Sequence, residues 1–189
     1  MIHNDTDRPA GSNFFVISGG PGSGKTTIID GLRSQGLVCV DEAGRDVIRA
    51  QRRIDGRGTH ASDRALFCEL MLARMMADYD EAGSAQGPVV FDRGIPGLVG
   101  YCRLTGLAVT DHLLRAVALF RYNPVVFVTP PWRAIFGQDD ERKQDFAEAV
   151  RTFGTVAAAY AASGYQVVEV PIGPVHERVA FVAAAIADA

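Results

Sequence analysis

The clearest chemistry in the sequence lies in a glycine-rich stretch near the N-terminus. It reads Gly19-Gly20-Pro21-Gly22-Ser23-Gly24-Lys25-Thr26-Thr27. The spacing of Gly19, Gly24, Lys25 and Thr26 fits the Walker A pattern G-x-x-x-x-G-K-[ST]. An apolar run precedes the stretch and a helical pattern follows it, which is the setting that a phosphate-binding loop (P-loop) requires. The alternative without a binding role is a turn that merely joins strand to helix. Such a turn would seldom need Lys-Thr at its end.

Each residue type in this stretch has a mechanical reason to be there. Glycines adopt backbone conformations closed to other residues, so successive N–H groups can turn inward on an anion. That anion then lies at a helix N-terminus, where donors and the helix dipole attract it. We expect Lys25 to reach the β- and γ-phosphates and the Thr26 hydroxyl to bind Mg²⁺. ATP and Mg²⁺ are therefore the predicted cofactors, with GTP left open as the alternative nucleotide.

Five short apolar runs alternate with helical patterns along the chain, which predicts an α/β fold with a doubly wound parallel sheet. Ligands of such sheets bind beyond the carboxyl ends of the strands. The residues that follow each run are therefore the informative ones. The runs are 14–17, 37–40, 88–91, 125–128 and 165–170.

Asp92 and Arg93 end the third run. A carboxylate in that place can hold magnesium through water or accept a proton from an attacking hydroxyl. It could equally cap the next helix or pair with an arginine. Arg93 could grip a substrate phosphate or hydroxyl, or form a structural ion pair.

Asp41 and Glu42 follow the second run. Adjacent strand residues point to opposite faces, so we expect one of the two to face the site. A carboxylate beside the phosphate loop is well placed as a general base. The alternative without a catalytic role is an Asp41 that caps the next helix and a solvated Glu42. The sequence leaves open which of Asp41, Glu42 and Asp92 is the base.

A polar segment at about 133–144 lies between the fourth strand and the next helix, where a lid would close on a triphosphate. Arg142 is favoured over Lys143 for a role there, because its planar fork suits phosphate. Three acidic residues at 139–141 would weaken the positive potential of this segment. The alternative is that the segment is a solvated charged surface. For Trp132, after two prolines, a hinge or core role is favoured over packing near the nucleotide base.

The composition bounds the other possibilities. The chain has 189 residues, 48% hydrophobic and 22% charged, which predicts a single domain over 13–189 after a disordered lead-in at 1–12. A net charge of -3 with no basic block makes nucleic acid an unexpected partner. No apolar run is long enough to cross a bilayer, so no membrane partner is expected. Three dispersed cysteines predict reduced core thiols in a cytoplasmic protein.

Together these motifs resemble a known family. Besides the loop they are Asp-Glu-Ala-Gly-Arg at 41–45, Phe-Asp-Arg-Gly at 91–94 and Asp-Glu-Arg-Lys-Gln at 140–144. The set resembles the small AAA-type predicted ATPases that look like the ribosylnicotinamide kinase domain and, more distantly, deoxynucleoside and nucleotide kinases. The resemblance implies a three-layer α/β/α fold with strand order 2-3-1-4-5, and an acceptor site opposite the ATP.

The same resemblance implies roles for single residues. It makes Glu42 the base or an acceptor contact, Asp92 and Arg93 the strand-end pair, and Arg142 the lid arginine. Ala43 and Gly94 stand where deoxynucleoside kinases carry Pro and Ser, so the acceptor is not identified. A hydrolytic AAA motor is disfavoured, because the third strand lacks an Asp-Glu pair and the chain has no room for a separate lid domain.

The leading hypothesis is a magnesium-dependent kinase that transfers the ATP γ-phosphoryl group to a small nucleoside-like or nucleotide-like acceptor. The alternative is a nucleotide-dependent binding or switch protein with slow hydrolysis. A small pocket lined by Glu42, Arg45 and Arg93 would favour the kinase. An exposed apolar or basic patch would favour the switch. The oligomeric state is left open.

Overall fold

The computed structural model describes residues 11–136 and 145–189, where strands and helices alternate as the sequence predicts. The strands are β1 (Phe14–Gly19), β2 (Val38–Val40), β3 (Val89–Asp92), β4 (Val125–Thr129) and β5 (Gln166–Glu169). The helices are α1 (Lys25–Ser34), α2 (Ala43–Arg53), α3 (Arg64–Ala82), α4 (Pro96–Thr105), α5 (Asp111–Leu119), α6 (Phe146–Ala162) and α7 (Val175–Ala187).

The five strands form a parallel sheet of order β2-β3-β1-β4-β5, and the predicted fold class and order are confirmed. β1 lies at the centre, between β3 and β4. Ile17 is in register with Asp92, and Gly19 is in register with Thr129. The carboxyl ends of these three strands therefore lie together at one end of the sheet. The phosphate loop follows β1 at that end.

The two faces of the sheet bury alternate residues of each strand, as the two-residue period of a strand requires. One face, with Phe15 and Ile17, packs against α1 and α7. The other, with Phe14 and Val16, packs against α6 and the end of α3. This arrangement produces the three layers, and it explains why the central strands are apolar at nearly every position.

A third apolar cluster lies among α2, α3, α4 and α5 beside the sheet. On α3 a stripe of apolar side chains four residues apart, Phe67, Met71 and Met75, is buried in this cluster. Tyr79 continues the stripe, half-buried, with its hydroxyl donating to the Arg121 carbonyl at 2.6 Å. This cluster forms a helical wall beside the carboxyl ends of β2 and β3.

Helix boundaries follow local capping chemistry. Asp63 caps α3, and its carboxylate accepts from the Leu66 N–H at 3.0 Å. Asp145 caps α6 in the same way and accepts from the Glu148 N–H at 2.7 Å. Gly36 follows the C-cap of α1 and has φ +92°, in the left-handed region.

The three cysteines carry free thiols. Cys68 and Cys102 are buried with their sulfur atoms 3.5 Å apart, while Cys39 is partly buried. Burial raises the pKa of the Cys68 thiol to about 12 and raises the pKa of Cys102 as well. The two buried thiols therefore behave as core residues. In the part of the chain that the structure describes, no helix is long and apolar enough to span a bilayer.

Tyr160 of α6 hydrogen-bonds to the backbone just after the carboxyl end of β3, and the contribution of these bonds to stability can be tested. Its fully buried hydroxyl accepts from the Gly94 N–H at 2.9 Å and donates to the Gly94 carbonyl at 3.2 Å. Burial raises the pKa of this phenol to about 12, so it stays protonated as a donor. Tyr160→Phe would leave both groups of Gly94 without this partner. We expect it to lower the free energy of unfolding by about 1–3 kcal/mol in urea titrations.

Tyr101→Phe is the matched control. The Tyr101 hydroxyl is also buried on a helix, but it has no hydrogen-bond partner among residues 11–136 and 145–189. We expect its removal to change the unfolding free energy by less than about 0.5 kcal/mol or to raise it. Equal losses in the two variants would contradict the role given to the Tyr160 hydroxyl.

Candidate active site

The phosphate loop connects β1 to α1, and its glycines are required by the backbone. Gly19, Gly22 and Gly24 have φ values of +138°, +65° and +79°. A Cβ at Gly19 would collide with Thr129 of the neighbouring strand. The loop is therefore closely packed on β4 and is restricted to glycine at these turns.

The N-terminus of α1 is left open to a ligand. Gly24 is the N-cap and has no side chain, so no side-chain hydrogen bond caps this helix. The N–H groups of the first turn and the helix dipole are thus available to an anion. The residues present therefore fit the phosphates of a nucleotide.

Lys25 and Ser23 hold the loop from inside. Lys25 is 3% exposed, and its ammonium donates to the Gly20 carbonyl at 2.9 Å. The Ser23 hydroxyl donates to the same carbonyl at 2.8 Å and lies 2.6 Å from the Thr129 hydroxyl. The lysine predicted to bind phosphate is therefore packed against the loop that would hold the phosphate.

The two predicted magnesium residues lie at the start of α1 and at the end of β3. Thr26 is exposed in the first turn of α1. Asp92 is the last residue of β3 and is buried at 7% exposure. One hydroxyl and one carboxylate fit Mg²⁺, which usually takes one or two protein oxygens together with waters and substrate phosphates. Within the described ranges no group of three His, Cys, Asp or Glu side chains could hold a metal by itself.

Glu42 lies at the centre of an ion-pair network. Its Oε1 accepts from Arg93 Nε at 2.9 Å, and its Oε2 accepts from Arg45 Nε at 3.2 Å. Arg93 also donates through Nη1 to the Gly19 carbonyl at 2.9 Å. The carboxylate is 14% exposed. Arg93 therefore joins Glu42 directly to the first peptide of the phosphate loop.

Arg93 occupies an unusual backbone position for this purpose. Its φ is +73°, in the left-handed region that residues with a Cβ seldom adopt. Its N–H donates to the Ile17 carbonyl at 2.9 Å, which holds it against β1. Burial lowers the pKa of Arg93, but the carboxylates of Glu42 and Asp92 outweigh that effect and raise it overall. The guanidinium is thus a fixed positive charge beside the loop.

Asp41 points elsewhere. Its side chain is 74% exposed and pairs with Arg33 Nη2 of α1 at 2.6 Å. Neither Asp41 nor Glu42 caps α2 with its side chain, so the interpretation of a capping Asp41 beside a solvated Glu42 is wrong. Of the two neighbouring acids, it is Glu42 that faces the site.

A cavity of about 370 Å³ opens next to this network, between the loop and α2, α3, α4 and α6. Its charged lining contains Glu42, Arg45 and Arg93 beside Pro21, together with Arg64, Glu148 and Arg151. Its apolar and aromatic lining consists mainly of Ile48, Phe67, Met71, Met75, Leu98 and Tyr101. Phe67, Met71 and Met75 of α3 thus belong both to the core and to this lining. A small organic molecule that carries both apolar and charged groups would fit it.

One residue of the site, on α7, belongs to none of the sequence motifs. Arg178 of α7 donates through Nη2 to the Ser23 carbonyl at 3.0 Å, and its guanidinium lies 5.9 Å from the centre of the Trp132 ring. No local pattern marked this arginine, because only the fold brings α7 to the loop. The predicted lid residue Arg142 and its neighbour Lys143 lie outside the described residues.

The parallel sheet, the phosphate loop after β1 and the adjoining cavity define a P-loop fold of the nucleotide-kinase kind. The chain belongs to the family described as an AAA domain, whose model matches residues 14–178. No curated protein matches the chain in sequence.

Solved structures show the same fold at low identity. The NadR protein in complex with NR is 19% identical with a TM-score of 0.72, over 94% of this chain and 50% of NadR. Thymidylate kinase from Ehrlichia chaffeensis is 18% identical with a TM-score of 0.58, over 94% and 99% of the two chains. Deoxyadenosine kinase from M. mycoides is 14% identical with a TM-score of 0.62, over 93% and 98%. The chain thus spans half the length of NadR and nearly all of the two kinases.

The Glu42–Arg93 pair is testable by a double-mutant cycle with Glu42→Gln and Arg93→Met. Because both side chains are largely buried and Arg93 also holds the loop, we expect a coupling of about 1–3 kcal/mol in the free energy of unfolding. The control is the exposed pair Asp30–Arg33, at 2.9 Å, cycled with Asp30→Asn and Arg33→Met. We expect about 0–1 kcal/mol there. A coupling at Glu42–Arg93 no larger than the control would refute the buried link.

Proposed function

We propose that the protein is a kinase that uses ATP and Mg²⁺ to phosphorylate a small nucleoside-like or nucleotide-like acceptor. The observation that carries this proposal is the cavity of about 370 Å³ joined to the phosphate loop through Glu42 and Arg93. A nucleotide switch has no need of a second small-molecule cavity beside its loop. The kinase fold of the neighbours supports the same class of reaction.

In this proposal the loop and its neighbours hold the donor. The amides of the loop and Lys25 bind the phosphates, and Thr26 with Asp92 through water holds the magnesium ion. Bound Mg²⁺ supplies positive charge that offsets the charge developing on the transferred group. Phosphoryl transfer has a loose transition state, so positioning and electrostatics provide most of the catalysis.

The acceptor side is organised by Glu42. Its carboxylate accepts the proton of the acceptor hydroxyl, while that oxygen attacks the γ-phosphorus and the bond to the β-phosphate oxygen breaks. Arg93 and Arg45 fix the carboxylate from two sides, so its orientation does not depend on the acceptor. We place Arg142 as the lid residue that closes over the transferred group.

The direct test is to incubate the purified protein with ATP, Mg²⁺ and a panel of nucleosides and nucleoside monophosphates, and to follow products by mass spectrometry. We expect one acceptor class to be phosphorylated. Lys25→Ala should abolish the product, since it removes the charge that meets the phosphates. ATP hydrolysis above the Lys25→Ala background without any phosphorylated acceptor would favour the switch. No turnover above that background would defeat both interpretations.

Glu42→Gln tests the proposed base. Glutamine keeps an oxygen for Arg93 but is a far weaker proton acceptor, so kcat should fall by about 10²- to 10⁴-fold. ATP affinity, measured by calorimetry, should stay within about threefold, since a base acts in the transfer step rather than in ground-state binding of the donor. The control is the adjacent Asp41→Asn, which we expect to leave kcat within about twofold because Asp41 points to solvent. Similar kcat values in the two variants would show that Glu42 is not the base.

A further inference from the structure

Arg178 is a buried arginine to which the proposed transfer step assigns no role. It is the fourth residue of α7 and is 2% exposed. A buried guanidinium is unfavourable unless it is paired. Within residues 11–136 and 145–189 no carboxylate lies within ion-pair distance of it, and its Nε has no hydrogen-bond partner there.

Its place in the helix does not account for the burial either. Arg178 lies in the first turn of α7, where the helix dipole opposes a positive charge. Burial lowers the pKa of Arg178, and no neighbouring carboxylate counteracts this. The explanation for a cation at this position must therefore lie in what it contacts outside α7.

Besides the Trp132 ring, whose centre lies 5.9 Å away, the guanidinium contacts the phosphate loop. Arg178 Nη2 donates to the Ser23 carbonyl at 3.0 Å. Its Nη1 would lie only 2.6 Å from a Cβ built on Gly24, so the guanidinium is packed directly on the last turn of the loop. The φ of +79° favours glycine at this position, and a Cβ there would displace the guanidinium.

The orientation of one peptide group follows from this contact. The carbonyl of a peptide unit and the N–H of the next residue point in opposite directions. When Arg178 holds the Ser23 carbonyl, it turns the Gly24 N–H away from α7. Arg93 does the same at the other end of the loop, where it holds the Gly19 carbonyl at 2.9 Å and so orients the Gly20 N–H.

We propose that Arg178 is a positioning residue of the nucleotide site, which fixes the Gly24 peptide for phosphate binding and whose charge is offset by the bound polyphosphate. This inference rests on the proposed binding of a nucleoside triphosphate by the loop. It adds the C-terminal helix to the site. Since the same contact joins α7 to the loop, nucleotide binding also stabilises the docking of α7.

The test measures the affinities of ATP and AMP by calorimetry for the wild type, Arg178→Met and Arg178→Lys. Methionine keeps much of the packing but removes the charge and the donor. We expect Arg178→Met to weaken ATP binding about 10- to 100-fold, because it removes a positive charge beside the loop and the group that orients the Gly24 peptide. AMP, with less phosphate charge, should weaken less than about threefold. Arg178→Lys keeps the charge and should recover part of the ATP affinity.

Val182→Ala is the control for a purely structural role. Val182 is fully buried on the same helix but belongs to the core facing α1. It should lower the unfolding temperature while leaving ATP affinity within about threefold. Arg178 would be only a structural residue if Arg178→Met bound ATP like the wild type, or if it weakened ATP and AMP equally and no more than Val182→Ala did. Failure of the wild type itself to bind ATP would instead overturn the nucleotide proposal, and this inference with it.

Discussion

The guanidinium of Arg93 is the interaction on which the rest of the site depends. It joins the Glu42 carboxylate to the Gly19 carbonyl, and so connects the end of β2 to the start of the phosphate loop across β3. Its left-handed backbone is a strained conformation that persists because β1 and Glu42 hold it on two sides. The two halves of the site thus share one rigid charged group.

Three positively charged side chains contact the backbone of the phosphate loop. Lys25, Arg93 and Arg178 each donate to a loop carbonyl, at 2.9, 2.9 and 3.0 Å. Because these carbonyls are held by side-chain donors, the N–H groups of the loop can turn toward an anion. The same three charges make the loop a favourable place for a polyphosphate, although the chain as a whole carries a net charge of -3.

The helices beside the sheet serve two purposes at once. α3 and α4 bury apolar side chains against one another, and the same stripe of Phe67, Met71 and Met75 forms the wall of the cavity. A methionine-rich wall can adapt to ligands of different shapes, whereas Glu42 is held by ion pairs with Arg93 and Arg45. The cavity therefore combines an adaptable apolar lining with a rigid charged group.

The sequence by itself determined the elements and the loop, because these depend on local patterns. The apolar runs predicted the strands, and the spacing from Gly19 to Thr26 predicted the glycine loop between β1 and α1. Only the tertiary structure decided which of Asp41 and Glu42 faces the cavity, since that follows from the pairing of Asp41 with Arg33 and of Glu42 with Arg93. Likewise it alone brought Arg178 to Ser23 across 155 positions of chain, a contact between distant segments that no local pattern can encode.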